Sequence, residues 1–144
     1  MEWLKITIDY GVIGLLILMS ILAVSCAVER YLVFRRTDVT TYDNKKRLEL
    51  DLTQKLHLIA SVGSNAPYIG LLGTVLGIML TFYSMGVNGF MDTGKIMVGL
   101  ALALKVTAVG LLVAIPAITI YNLLLRQVKV LLGEWEIHNE RKRI

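Results

Sequence analysis

Groups that carry acid–base, nucleophilic or metal chemistry are scarce in this chain. There is one cysteine, Cys26, and there are two histidines, His57 and His138. A single thiol gives no disulfide framework, and neither histidine has a partner at metal-ligand spacing, so no metal site is expected. No Ser/His/Asp or Cys/His set can be assembled, and no carboxylate pair lies in a protected place. Catalytic residues and cofactors are therefore not expected. The glycines of GLLGTVLG (70–77) lack the Lys-Ser/Thr of a phosphate-binding loop and lie within an apolar run. Internal repeats and low-complexity linkers are also missing.

Charge is missing over long stretches. The chain has 144 residues, 56% of them hydrophobic, and a mean hydropathy of +0.66. That is too apolar for an ordinary soluble domain. Residues 11–28 and 66–91 contain no charge, and 96–125 contains only Lys105. About 20 helical residues cross a hydrocarbon core of roughly 30 Å, so three membrane-crossing helices are expected in one small domain. The first run is not read as a cleaved signal. Glu2 and Asp9 outweigh Lys5 ahead of it, and Arg30, Arg35 and Arg36 follow it.

The basic residues are unevenly placed. Arg30, Arg35, Arg36, Lys45, Lys46, Arg47 and Lys55 lie between the first two spans, and Arg126, Lys129, Arg141, Lys142 and Arg143 follow the third. Only Lys5 and Lys95 fall on the other side. This bias places the N-terminus outside and the C-terminus in the cytoplasm. Basic clusters beside spans, interleaved with Glu and Asp, fit lipid headgroups and topology rather than nucleic acid.

An all-α membrane protein with cytoplasmic helical extensions follows. Residues 1–10 form an external lead whose Trp3 and Tyr10 suit the membrane interface. Residues 11–28 form a featureless first span, able to face lipid all round. In the cytoplasmic segment 29–65, Leu48, Leu52, Leu56 and Ile59 share one face, which predicts an amphipathic helix over 45–61. Ser64 or Asn65 is expected to cap the second span (66–86), with Pro67 in its first turn. Residues 87–95 make an external loop and 96–125 the third span. The tail 126–144 is amphipathic, with Val128, Leu131, Leu132 and Trp135 on one face.

The second and third spans each carry a smooth strip at helical spacing. Gly70, Thr74, Gly77 and Thr81 form one; Ala103, Thr107, Gly110 and Ala114 form the other. Small residues let membrane helices approach closely, so packing alone accounts for such strips. The functional alternative is a narrow passage lined by hydroxyls, or a surface on which another chain's helix slides. Three helices hardly enclose a passage, so self-association is inferred. The spans contain no Asp, Glu or His, and a proton relay normally needs such a group, so the carboxylate would come from another polypeptide. Lys105 is about 200° round the helix from Thr107; it either snorkels outward or pairs with a partner's carboxylate. Pro116 is expected to kink the third span.

The stretches APYIGLLGTVLGIMLTFYSMG (66–86) and GLALALKVTAVGLLVAIPAITIYN (99–122) resemble the last two spans of the ExbB/TolQ group, in the MotA/TolQ/ExbB proton channel family. The resemblance implies a bacterial inner-membrane, proton-driven motor. A homopentamer would surround a central pore, in which helices of an ExbD-like single-span partner each carry one Asp. A TonB-like protein would transmit the work to outer-membrane transport. Thr74 and Thr107 match the family's pore-facing threonines, with Gly70, Gly77, Thr81, Ala103, Gly110 and Ala114 on the pore face. Leu102 stands where many relatives place a Glu, and Lys105 gives the pathway a charge. A TolQ-like role in envelope maintenance, a non-conducting scaffold and an autonomous channel are the competing readings.

Overall fold

The computed structural model describes residues 2–89 and 92–143. Four helices account for most of them: α1 (Glu2–Arg36), α2 (Lys45–Leu52), α3 (Leu56–Asn88) and α4 (Thr93–Arg143). The helices α1, α3 and α4 are each long and apolar enough to cross a membrane. Their most extensive mutual contact is between α3 and α4, with α1 laid against both.

The long helices run well past the apolar stretches that define them. α1 begins at Glu2, so the N-terminal lead is helical. It is not featureless either. Leu16, Ala23, Cys26, Ala27, Arg30 and Phe34 are buried in a strip along it, while Ile17, Leu18 and Ile21 stay exposed. That strip seats α1 in the groove beside α3 and α4.

The helix expected over 45–61 is two helices. Asn44 starts α2 by accepting a hydrogen bond from the Lys46 N–H at 2.8 Å. Lys55 then takes a left-handed conformation, φ 65°, and breaks the run. Its ammonium donates to both carboxylate oxygens of Glu29, at 2.9 and 2.8 Å. This contact from α1 also holds the Glu29 carboxyl below its ordinary value of 4.5. Leu48, Leu52, Leu56 and Ile59 are nonetheless all buried, with Cys26, Phe34, Leu124 and Val128, in the largest apolar cluster.

The second apolar helix does not start at Ser64 or Asn65. α3 begins at Leu56 and carries Pro67 within it. Burial of Leu56, Ile59 and Val62 extends the helix backward, and this packing offsets the hydrogen bond that Pro67 cannot donate. α4 likewise continues through Pro116. At its other end α3 stops at Gly89, φ 62°, whose N–H reaches the Met85 carbonyl at 3.0 Å. Asp92 starts α4, its side chain accepting from the Gly94 N–H at 2.9 Å. Of the loop expected over 87–95, residues 87 and 88 thus close α3 and 93–95 open α4, while 90 and 91 lie outside the described residues.

The extension of α4 folds onto the segment between α1 and α2. Trp135 Nε1 donates to the Tyr42 carbonyl at 2.9 Å, and Lys45 pairs with Glu136. The Tyr42 hydroxyl donates to Asp51 at 2.9 Å, and this bond raises the phenol above its ordinary value of 10.0.

Candidate functional site in the seam between α3 and α4

The two smooth strips meet each other. Gly70, Gly73, Thr74, Gly77 and Thr81 of α3 are buried, as are Gly99, Ala103, Val106, Gly110 and Ala114 of α4. A Cβ on Gly110 would lie 2.7 Å from the Ala66 carbonyl oxygen, and one on Gly77 would lie 3.1 Å from Ala103 Cβ. Only small residues allow the backbones this close.

At the centre of the seam the hydroxyls of Thr74 and Thr107 are hydrogen-bonded to each other. Thr74 is 7% exposed, and its hydroxyl donates to the Ala103 carbonyl at 2.9 Å. Each hydroxyl has one proton, so while Thr74 donates to Ala103 it accepts from Thr107, and in the reverse arrangement Thr74 donates to Thr107. The Gly70 carbonyl, 3.3 Å from Thr107 Oγ1, is the alternative acceptor. Thr107 is half-buried, on the flank of the seam, and so can be reached from outside it. A hydroxyl pair of this kind can pass or accept a hydrogen bond but supplies no titrating group of its own.

Toward the connection between α3 and α4, Thr81 donates to the Gly77 carbonyl at 2.9 Å and accepts from the Lys5 ammonium at 3.1 Å. Lys105 lies elsewhere, exposed on the opposite side of α4, and Pro116 is exposed as well. The seam thus brings together Gly70, Thr74, Gly77, Thr81, Ala103, Thr107, Gly110 and Ala114, and leaves Lys105 out.

A profile of the MotA/TolQ/ExbB proton channel family matches residues 30–137. The chain belongs to that family. It is 55% identical to the biopolymer transport protein ExbB of Aquifex aeolicus over 97% of this chain and 95% of that protein. The putative biopolymer transport protein ExbB-like 2 of Helicobacter pylori is 53% identical over 93% of this chain and 89% of its own. The Tol-Pal system protein TolQ of Pseudomonas aeruginosa is 39% identical over 62% of this chain and 38% of its own. A MotA/TolQ/ExbB chain is a transport component of a membrane, which accords with three helices long and apolar enough to cross one.

Two charged residues of this family member escape a reading of the sequence. Lys5 reads as an ordinary flank of the first span, and only the helical lead brings it to Thr81. Arg30 reads as a topology charge, yet it is 4% exposed and donates to the Asp51 carbonyl at 2.9 Å. Arg30 follows Leu16 and Ala23 at seven-residue spacing, a signal that places it on the buried strip.

Proposed function

We propose that the chain is the subunit of an inner-membrane motor that couples the proton motive force, with an ExbD-like partner, to TonB-dependent outer-membrane transport. The observation that carries this reading is the pair of buried Thr74 and half-buried Thr107 in spans without a carboxylate or histidine. A proton-channel family member built this way has a place to receive a titrating group and none of its own. The carboxylate therefore comes from a second polypeptide, and the half-buried Thr107 is where it is met. ExbB-named relatives matching nearly the whole length favour this role over a TolQ-like one.

In this reading five copies assemble with the flank of the α3–α4 seam toward a central pore. The N-terminus and the α3–α4 connection face the periplasm, and α2 and the end of α4 face the cytoplasm, in keeping with the bias of Lys and Arg. Lys105, exposed on α4, is left to a neighbouring polypeptide or to headgroups.

The test is proton-motive-force-dependent nutrient uptake in cells carrying Thr74→Val, Thr107→Val or both, with membrane levels checked. Valine keeps the shape and removes the hydroxyl. Uptake lost at normal protein level supports the proton role. Full uptake leaves the pair as packing and sinks the reading.

A further inference from the structure

Lys5 has a seat that all three long helices build. It lies in the helical lead of α1, and its ammonium donates to Thr81 Oγ1 of α3 at 3.1 Å. Thr81 is 6% exposed and gives its own proton to the Gly77 carbonyl at 2.9 Å, so its oxygen accepts from Lys5. On α4, Gly99 leaves the space. A Cβ there would lie 3.1 Å from Lys5 Nζ and 2.6 Å from Thr81 Oγ1. A neutral donor would suffice to tie α1 to the seam, yet the seat holds a full positive charge.

That charge stands in line with the threonine pair. Thr81 and Thr74 lie on one face of α3, about 10 Å apart along the helix. Gly77 and Ala103 between them are buried, so little water screens the path. Thr74 in turn is bonded to Thr107. A carboxylate at Thr107 is thus on the order of 12 Å from the ammonium. At an effective dielectric constant of about 20, the attraction shifts the titration of that carboxylate by about one pH unit.

We propose, on the reading that a partner's carboxylate is met at Thr107, that Lys5 is a positioning residue for the proton step. Its ammonium, held by Thr81 beside Gly99, favours the ionised form of that carboxylate and so the release of the proton. The other charges nearby are Asp9, one turn along α1, Asp92 and Lys95 at the start of α4, and Lys105 on the opposite side of α4. They are common to every protein compared below. Removing one unit of charge at Lys5 changes the potential at Thr107 by the same amount whatever else the ammonium touches.

Thr107→Asp in the full-length chain, in detergent micelles, places a carboxylate at the position in question, and its carboxyl carbon shift reports the titration. Lys5→Gln keeps a donor for Thr81 and removes the charge, whereas Lys5→Arg keeps both. The midpoint should rise by about one pH unit with Lys5→Gln and stay in place with Lys5→Arg. A second measurement keeps Thr107 and follows proton-motive-force-dependent uptake in cells as the external pH rises and the partner's carboxylate ceases to take a proton. The midpoint of that loss should also move upward by about one unit in Lys5→Gln alone. Unmoved midpoints in Lys5→Gln, or equal shifts in Lys5→Arg, overturn the role. Uptake reduced by one factor at every pH overturns it too and leaves Lys5 a tie between helices. Uptake lost in Thr107→Val beside an unmoved midpoint in Lys5→Gln removes Lys5 from the step and leaves the motor reading standing.

Discussion

Gly70 and Gly110 face each other with no room for a side chain between them. A Cβ on Gly70 would lie 3.2 Å from Gly110 Cα, and one on Gly110 would lie 3.1 Å from Gly70 Cα. The neighbours are backbone atoms, which cannot swing aside as a flexible side chain can. Gly110→Ala should therefore push α3 from α4 and cost about 1–3 kcal/mol. Thermal unfolding in detergent reads this directly; an unchanged midpoint would show that the seam can open freely.

Gly133 supplies the contrast. It lies inside α4, and a Cβ there meets nothing within 4 Å. Gly133→Ala should stabilise the helix by up to about 1 kcal/mol, because alanine has less backbone freedom to lose. A destabilised protein would mean that the position is in contact with another chain.

Arg30 should be costly to replace. Its guanidinium is buried, bonded to the Asp51 carbonyl and 3.5 Å from Glu29. Arg30→Met removes the donor that joins α1 to α2 and should destabilise the protein by about 1–3 kcal/mol. Amide exchange in α2 is the local measurement, and unchanged protection there would contradict the role.

The Glu29–Lys55 pair should weaken in acid. The folded carboxyl lies below its ordinary 4.5, chiefly through the hydrogen bond from Lys55. A lowered folded value gives stability that is present above the unfolded value and lost as pH falls through the folded one. The Glu29 carboxyl carbon shift should titrate below 4.5 and move upward in Lys55→Met. Identical titration in the two proteins would rule out the contact.

The features legible in the sequence are those with a short period. Leu48, Leu52, Leu56 and Ile59 recur every three or four residues, and all are buried. Gly70 to Thr81 and Ala103 to Ala114 are legible for the same reason. What period cannot show is which strip meets which, and here the two strips meet each other. The break at Lys55 is hidden because Glu29, on another helix, takes part in it. Lys5 is hidden because its partner Thr81 lies 76 residues away. Pro67 misleads because local propensity favours it at a helix start, whereas burial of Leu56, Ile59 and Val62 carries the helix further back.

α4 is one helix of 51 residues. At 1.5 Å per residue it is about 76 Å long, against a hydrocarbon layer of roughly 30 Å. A rod of that length magnifies small movements: a tilt of about five degrees at one end displaces the other by roughly 7 Å. The same rod carries the Thr107 hydroxyl and, farther along, Trp135 and Glu136, which hold Tyr42 and the first residue of α2, Lys45. An event at the seam is thus mechanically continuous with the far end of the molecule. What turns one end turns the other.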